Sequence, residues 1–80
     1  MKLPRNISGN ELTKKLEFYG YAITRQVGSH MRITTSKNGV HYITIPAHKP
    51  LKVGTLSSII REVGRHFHIS KEEVINQLFD

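Results

Sequence analysis

Apolar residues first recur at helical spacing near the N-terminus, at Leu12, Leu16 and Tyr19. Ser8 and Glu11 precede this stripe at the spacing of a capping box, in which the hydroxyl and the carboxylate each accept a backbone N–H. Gly20 follows the stripe, where a helix commonly ends. The pattern predicts a first helix over residues 9–19.

The pattern then changes to alternation, which is typical of a half-buried strand. Over residues 21–27, one predicted face carries Tyr21, Ile23 and Val27, and the opposite face carries Ala22, Thr24 and Gln26. Arg25 interrupts the apolar face of this strand. We expect it to lie at the edge of this face.

A Gly28-Ser29 break separates this strand from a second one. Glycine adopts positive φ without steric cost, so the break is a predicted tight turn or bulge. Met31 and Ile33 then share the core face, while His30, Arg32 and Thr34 share the other face. His30 is therefore expected to point away from the core.

The segment Ser36-Lys37-Asn38-Gly39 is a hairpin signal, and Asn-Gly suits a type I′ turn. Residues 40–45 resume as a third strand, with Ile43 and Ile45 inward and Tyr42 and Thr44 outward. Pro46 lacks the amide that a ladder needs, so this strand is predicted to end at or near Ile45.

Two helical patterns complete the chain. Gly54-Thr55 is predicted to open or cap the first, whose apolar stripe is Leu56, Ile59, Ile60, Val63 and Phe67. Gly64 is a candidate end of this helix. Ser70 and Glu73 form a second capping-box spacing before a short terminal helix. The order α-β-β-β-α-α predicts one α+β domain over residues 1–80, a three-stranded antiparallel meander with helices on one face.

Composition narrows the class of protein. Hydrophobic residues make up 38% of the 80 residues and cysteine is absent, so the fold needs no disulfide and has no catalytic thiol or thiolate metal site. We expect no cofactor and no metal, because His41, His66 and His68 have no carboxylate partner at a recognised spacing. The sequence shows no signal peptide and no membrane span, so we expect a soluble, cytoplasmic protein.

The charge is unevenly distributed. The formal net charge is +6, and the acidic residues lie at Glu11, at Glu17 and from Glu62 onward. The interval between them carries uncompensated basic residues, namely Arg25, Arg32, Lys37, Lys49, Lys52 and Arg61. A positive face in the middle of the chain indicates a polyanionic partner.

His30 between Arg25 and Arg32 is the best candidate for chemistry. Histidine donates or accepts a proton near neutral pH, and arginine holds phosphate by bidentate, charge-assisted hydrogen bonds. The combination suggests phosphodiester chemistry. From the residues alone, a solvated surface histidine in a strand is the more common interpretation.

Several motifs together resemble the HicA family of mRNA interferase toxins. They are Gly20-Tyr21, Arg25-Gln26-x-Gly28-Ser29-His30, Ile45-Pro46-x-His48 and Leu51-Lys52-x-Gly54-Thr55-Leu56. The resemblance implies a double-stranded-RNA-binding-domain-like fold, ribosome-independent cleavage of single-stranded mRNA, and neutralisation by a HicB-like antitoxin. The family's catalytic histidine maps onto His30. Residues 65–80 extend beyond the shortest members, and they could cap the core, dimerise or receive the antitoxin.

Other residues are candidates for supporting roles. His48, after the Pro46 corner, is a candidate second acid, although such a residue is commonly a polar loop side chain. The candidate RNA contacts are Arg25, Ser29, Arg32, Lys37, Tyr42, Lys52 and Thr55. Solvated cations, an exposed tyrosine and an ordinary helix cap are the corresponding structural interpretations.

Two other functions fit the same features. A non-catalytic RNA-binding module would need the basic face but no histidine. An interaction subunit would use that face to bind an acidic protein. The sequence does not decide whether the chain associates with itself.

Overall fold

A computed structural model describes residues 3–80, which form three helices, one short 3₁₀ helix and three strands. The order is the predicted one, and the fold is α+β. The elements are α1 (Gly9–Lys15) with its 3₁₀ continuation (Leu16–Tyr19), β1 (Ala22–Val27), β2 (His30–Thr35), β3 (His41–Pro46), α2 (Val53–Phe67) and α3 (Lys71–Phe79).

The strands form one antiparallel sheet in the order β1-β2-β3. Met31, Ile33, Ile43 and Ile45 are buried in a core that they share with apolar side chains of the three helices. The side chains that alternate with them lie on the other face, where His30, Arg32, Tyr42 and Thr44 are exposed and Thr34 is half-buried. The predicted meander with helices on one face is therefore confirmed.

A β-bulge at Thr24 changes which residues of β1 share a face. Ile23 pairs with Ile33, but the next pair is Arg25 with Arg32, so Thr24 has no partner in the register. Directly opposite residues lie on the same face of a sheet. Arg25 and Val27 therefore lie on the open face and Gln26 on the helix side. The predicted inward position of Val27 and outward position of Gln26 were wrong.

The N-terminal helix has the predicted cap. The Ser8 hydroxyl accepts a hydrogen bond from the Glu11 amide at 3.0 Å, and the Glu11 carboxylate accepts one from the Ser8 amide at 2.9 Å. These bonds hold the pKa of Glu11 below its ordinary value. The predicted extent over residues 9–19 is right, although the last turn tightens to 3₁₀ geometry and ends at Gly20 with φ of 84°.

The β2–β3 connection is a loop of residues 36–40, because Thr35 and His41 form the last pair of the ladder. Asn38 and Gly39 have φ of 57° and 95°, the positive values expected for Asn-Gly. His66 of α2 holds this loop in place by hydrogen bonds. Its Nε2 atom lies 2.9 Å from the Lys37 carbonyl oxygen and 3.1 Å from that of Gly39, and the Asn38 side-chain amide donates to the His66 backbone carbonyl.

Beside this contact, the His41 ring stacks on the His66 ring with a centroid distance of 4.5 Å. The His41 Nδ1 atom lies 2.9 Å from the Tyr21 hydroxyl. Burial lowers the pKa of His41 below its ordinary value, the adjacent His66 lowers it further, and Glu62 opposes the shift. The neutral form of His41 is therefore favoured in the folded protein.

We expect the free energy of unfolding to fall as the pH decreases below about 6.5, because the unfolded chain binds the His41 proton more tightly than the folded chain. Urea unfolding at pH 7.5 and at pH 5 should show this loss, and His41→Gln should reduce it. The matched control is His48→Gln, at an exposed histidine, which should leave the loss unchanged. An equal pH dependence in His41→Gln and wild type would contradict the expectation.

Helix α2 differs from its prediction at both ends. Its N-cap is Lys52, which makes no side-chain capping hydrogen bond, so Gly54-Thr55 lies inside the first turn. The helix also continues through Gly64 to Phe67. A Cβ at Gly64 would lie 2.8 Å from the Ile69 carbonyl oxygen, so glycine is required there by close packing rather than by helix termination.

The C-terminal segment completes the core. The Ser70 hydroxyl accepts from the Glu73 backbone amide at 3.0 Å and so caps α3. This is half of the predicted capping box, because the Glu73 carboxylate accepts no hydrogen bond from the Ser70 amide. Val74, Ile75 and Leu78 are buried against the rest of the cluster, and the Tyr19 hydroxyl donates to the Gln77 side chain. Of the roles considered for residues 65–80, capping the core is the one that these contacts show.

Candidate active site

His30 is the first residue of β2 and follows a two-residue turn. Gly28 has φ of 57°, a left-handed value that glycine adopts without strain, and Val27 pairs with His30 across the turn. On its other side His30 pairs with Pro46 of β3. The imidazole is exposed on the open face, as the alternation predicts.

Five side chains of the open face line one cleft of about 260 Å³ around His30: Arg25, Val27, His30, Arg32 and Thr44. The register explains their proximity, because Arg32 pairs with Arg25 on one side and with Thr44 on the other. None of the five is acidic. The cleft thus combines a group that can transfer a proton with two guanidinium groups that can hold a phosphate.

Tyr42 lies on the same face, beyond the cleft. The guanidinium carbon of Arg32 is 4.6 Å from the centroid of the Tyr42 ring, within the range of a cation–π contact. Near it, the hydroxyl groups of Thr24 and Thr34 are 2.8 Å apart. The open face therefore has a basic cleft at one end and an aromatic and polar surface next to it.

His48 is not among the residues that line the cleft. It lies in the loop after β3 with an exposed side chain, and its carbonyl oxygen accepts a 3.0 Å hydrogen bond from the Gly9 amide. The Ala47 amide donates to the Ser29 carbonyl, which ties this loop to the turn before His30. The backbone therefore brings His48 to the same end of the sheet.

The remaining predicted RNA contacts lie in three places. Ser29 is exposed in the turn before His30. Lys37 is in the β2–β3 loop, at the opposite end of β2 from His30. Lys52 is exposed at the N-cap of α2, and the half-buried Thr55 is the third residue of that helix rather than its cap. None of these four residues lines the cleft.

Two cleft residues were absent from the predicted site. Thr44 was placed on the open face but was given no role, and Val27 was placed on the wrong face. The sequence did carry a signal for the true position of Val27, because the charged Arg25 did not fit the predicted apolar face of β1. A bulge that moves Arg25 to the open face moves Val27 with it.

Within residues 3–80, no helix is both long and apolar enough to cross a lipid bilayer. The same residues contain no group of three or more His, Cys, Asp or Glu side chains that could hold a metal ion.

Comparison with known proteins identifies a family. Neither the curated proteins nor the solved structures contain a significant relative of this chain. A family model described as the HicA toxin of bacterial toxin-antitoxin systems matches residues 9–65, which is more than half of the chain. The matched residues include all three strands and the whole cleft around His30. The chain therefore belongs to the HicA toxin family.

Proposed function

We propose that this toxin is an endoribonuclease, an mRNA interferase that cleaves single-stranded mRNA independently of the ribosome and so arrests translation. The observation that carries the proposal is the exposed imidazole of His30 in the same open cleft as Arg25 and Arg32, which pair with each other in the neighbouring strands. The chain acts as one domain in the cytoplasm, and a HicB-like antitoxin neutralises it.

In the proposed reaction, His30 is the general base. It takes the proton of a ribose 2′-hydroxyl, and the 2′-oxygen attacks the adjacent phosphorus atom. The bond from phosphorus to the 5′-oxygen breaks, and that oxygen receives a proton from a second group. The products are a 2′,3′-cyclic phosphate and a free 5′-hydroxyl. This route needs no metal, because the nucleophile belongs to the substrate and an imidazole moves the proton.

The surrounding residues support this chemistry by charge and position. Arg25 and Arg32 hold the scissile phosphate and stabilise the negative charge that develops on it. His48, at the same end of the sheet, is the candidate donor of the second proton. Ser29, Lys37, Tyr42, Lys52 and Thr55 are the proposed contacts to the rest of the RNA.

We expect purified protein to cleave single-stranded RNA in the presence of excess EDTA and to spare the same RNA carrying a 2′-deoxy nucleotide at the scissile position. The 2′-hydroxyl is the proposed nucleophile, so its removal leaves nothing to attack the phosphorus atom. Gel analysis of the cleaved strands tests both results. Cleavage that stops in EDTA, or that continues at a 2′-deoxy position, would contradict the proposed chemistry.

A non-catalytic RNA-binding module is the second candidate, supported by the same open basic face. It would bind RNA with a strong salt dependence, because phosphate contacts release counterions. Under this alternative, RNA would remain intact at any protein concentration, and His30→Ala would change only the affinity. If the wild type cleaves RNA and the His30→Ala variant does not, the non-catalytic alternative is excluded.

A further inference from the structure

Tyr42 is the only Phe, Tyr or Trp residue in the three strands. Its side chain is 57% exposed, whereas Tyr19 and Tyr21 are buried. An exposed aromatic ring does not contribute to the stability of the fold the hydrophobic free energy that a buried ring contributes. The part of this ring that Arg32 does not cover is therefore available to a ligand.

Arg32 connects this ring to the cleft. Its guanidinium group lines the cleft and also lies over the Tyr42 ring at 4.6 Å. A guanidinium group that stacks by its flat face keeps its N–H groups, at the edge, free for a phosphate. The ring and the phosphate-binding group thus form one continuous surface.

The spacing along β3 suits neighbouring parts of one nucleic-acid strand. Thr44 lines the cleft, and Tyr42 lies two residues away on the same face, a separation of about 7 Å. Unpaired bases of single-stranded RNA stack on exposed aromatic side chains. A strand with a phosphate in the cleft can therefore reach the ring with a base next to that phosphate.

We propose that Tyr42, together with Arg32, is a stacking site for one unpaired nucleobase adjacent to the phosphate held beside His30. The site extends the cleft of the proposed nuclease and rests on that function. A base inside a duplex is already stacked on its neighbours and cannot lie on the ring. Tyr42 is thus a residue that selects RNA which is single-stranded at the site of cleavage.

The test uses an RNA that the wild type cleaves at a mapped position, bound to the His30→Ala protein so that it stays intact. Bases near the mapped position are removed one at a time, and the affinity is measured by fluorescence anisotropy. Removal of one particular base should weaken binding about tenfold. With Tyr42→Leu added, the complete RNA should bind about tenfold more weakly, and loss of that base should have no further effect.

Two variants separate stacking from simple support of Arg32. Tyr42→Phe keeps the ring and should keep both the affinity and the base dependence. Tyr42→Leu keeps an apolar surface beneath Arg32 but offers no ring to a base. If the same base still matters in Tyr42→Leu, or if no single base matters in the presence of Tyr42, the stacking site is wrong.

The failure of this inference differs from the failure of the proposed function. Cleavage by the wild type together with equal affinities for all the base-deleted RNAs removes the stacking site and leaves the nuclease. If the wild type cleaves no RNA, the proposed function fails and the stacking site fails with it. A complementary strand that pairs the critical nucleotide should lower the affinity at least as much as removal of its base.

Discussion

Replacement of His30 by alanine is expected to reduce the rate of RNA cleavage by about 10²–10⁴-fold, the usual contribution of one positioned acid–base group. The side chain is exposed at the start of β2 and is not part of the hydrophobic core, so the variant should unfold at the same urea concentration as the wild type. Its expression should no longer arrest growth. Cleavage rates, urea unfolding and growth curves measure the three results.

His48→Ala is the most informative control for His30→Ala, because His48 is also exposed and lies at the same end of the sheet as His30. If His48 supplies the second proton, its removal should slow cleavage by a similar factor. Unchanged cleavage in His48→Ala would exclude that role and leave His30 as the base. If a folded His30→Ala protein cleaves RNA at the wild-type rate, the proposed mechanism is wrong.

Replacement of Gly9 by alanine is expected to lower the free energy of unfolding by about 3 kcal/mol, the upper part of the range for an overpacked site. A Cβ at position 9 would lie 1.9 Å from the Pro46 carbonyl oxygen and 2.8 Å from its carbon. Both are backbone atoms and cannot rotate away. Relief of the clash would also stretch the hydrogen bond from the Gly9 amide to the His48 carbonyl, 3.0 Å long.

The matched control is Gly54→Ala in the first turn of α2, where an added Cβ would meet nothing within 4 Å. Alanine is the better helix former by about 1 kcal/mol, so this variant should be as stable as the wild type or slightly more stable. Urea unfolding of the two variants side by side provides the comparison. A Gly9→Ala protein that unfolds at the wild-type urea concentration would contradict this prediction. It would show that the start of α1 can move away from the end of β3 at little cost in free energy.

The sequence predicted most of the fold because its local signals agree. The capping box at Ser8, the alternation of β2 and β3, and the order of the elements are all present in the structure. The exposed position of His30 followed from the same alternation. These features depend on residues close together in the chain, where spacing alone carries the information.

The errors arose where contacts outside the local pattern decide the geometry. Strict alternation assumes no bulge, so Val27 was placed inward until the pairing of Arg25 with Arg32 set the register. Gly64 resembled a helix end, but the nearby Ile69 carbonyl requires a residue without a side chain. His66 holds the β2–β3 loop from α2, and no local pattern could have indicated that contact.

All five residues that line the cleft come from residues 25–44, a single stretch formed by three consecutive strands. Short loops bring such neighbours together at little entropic cost. Substitutions in the helices should therefore change the stability of the fold more than the geometry of the cleft. The helical layer can therefore vary in sequence while the meander keeps the cleft residues together.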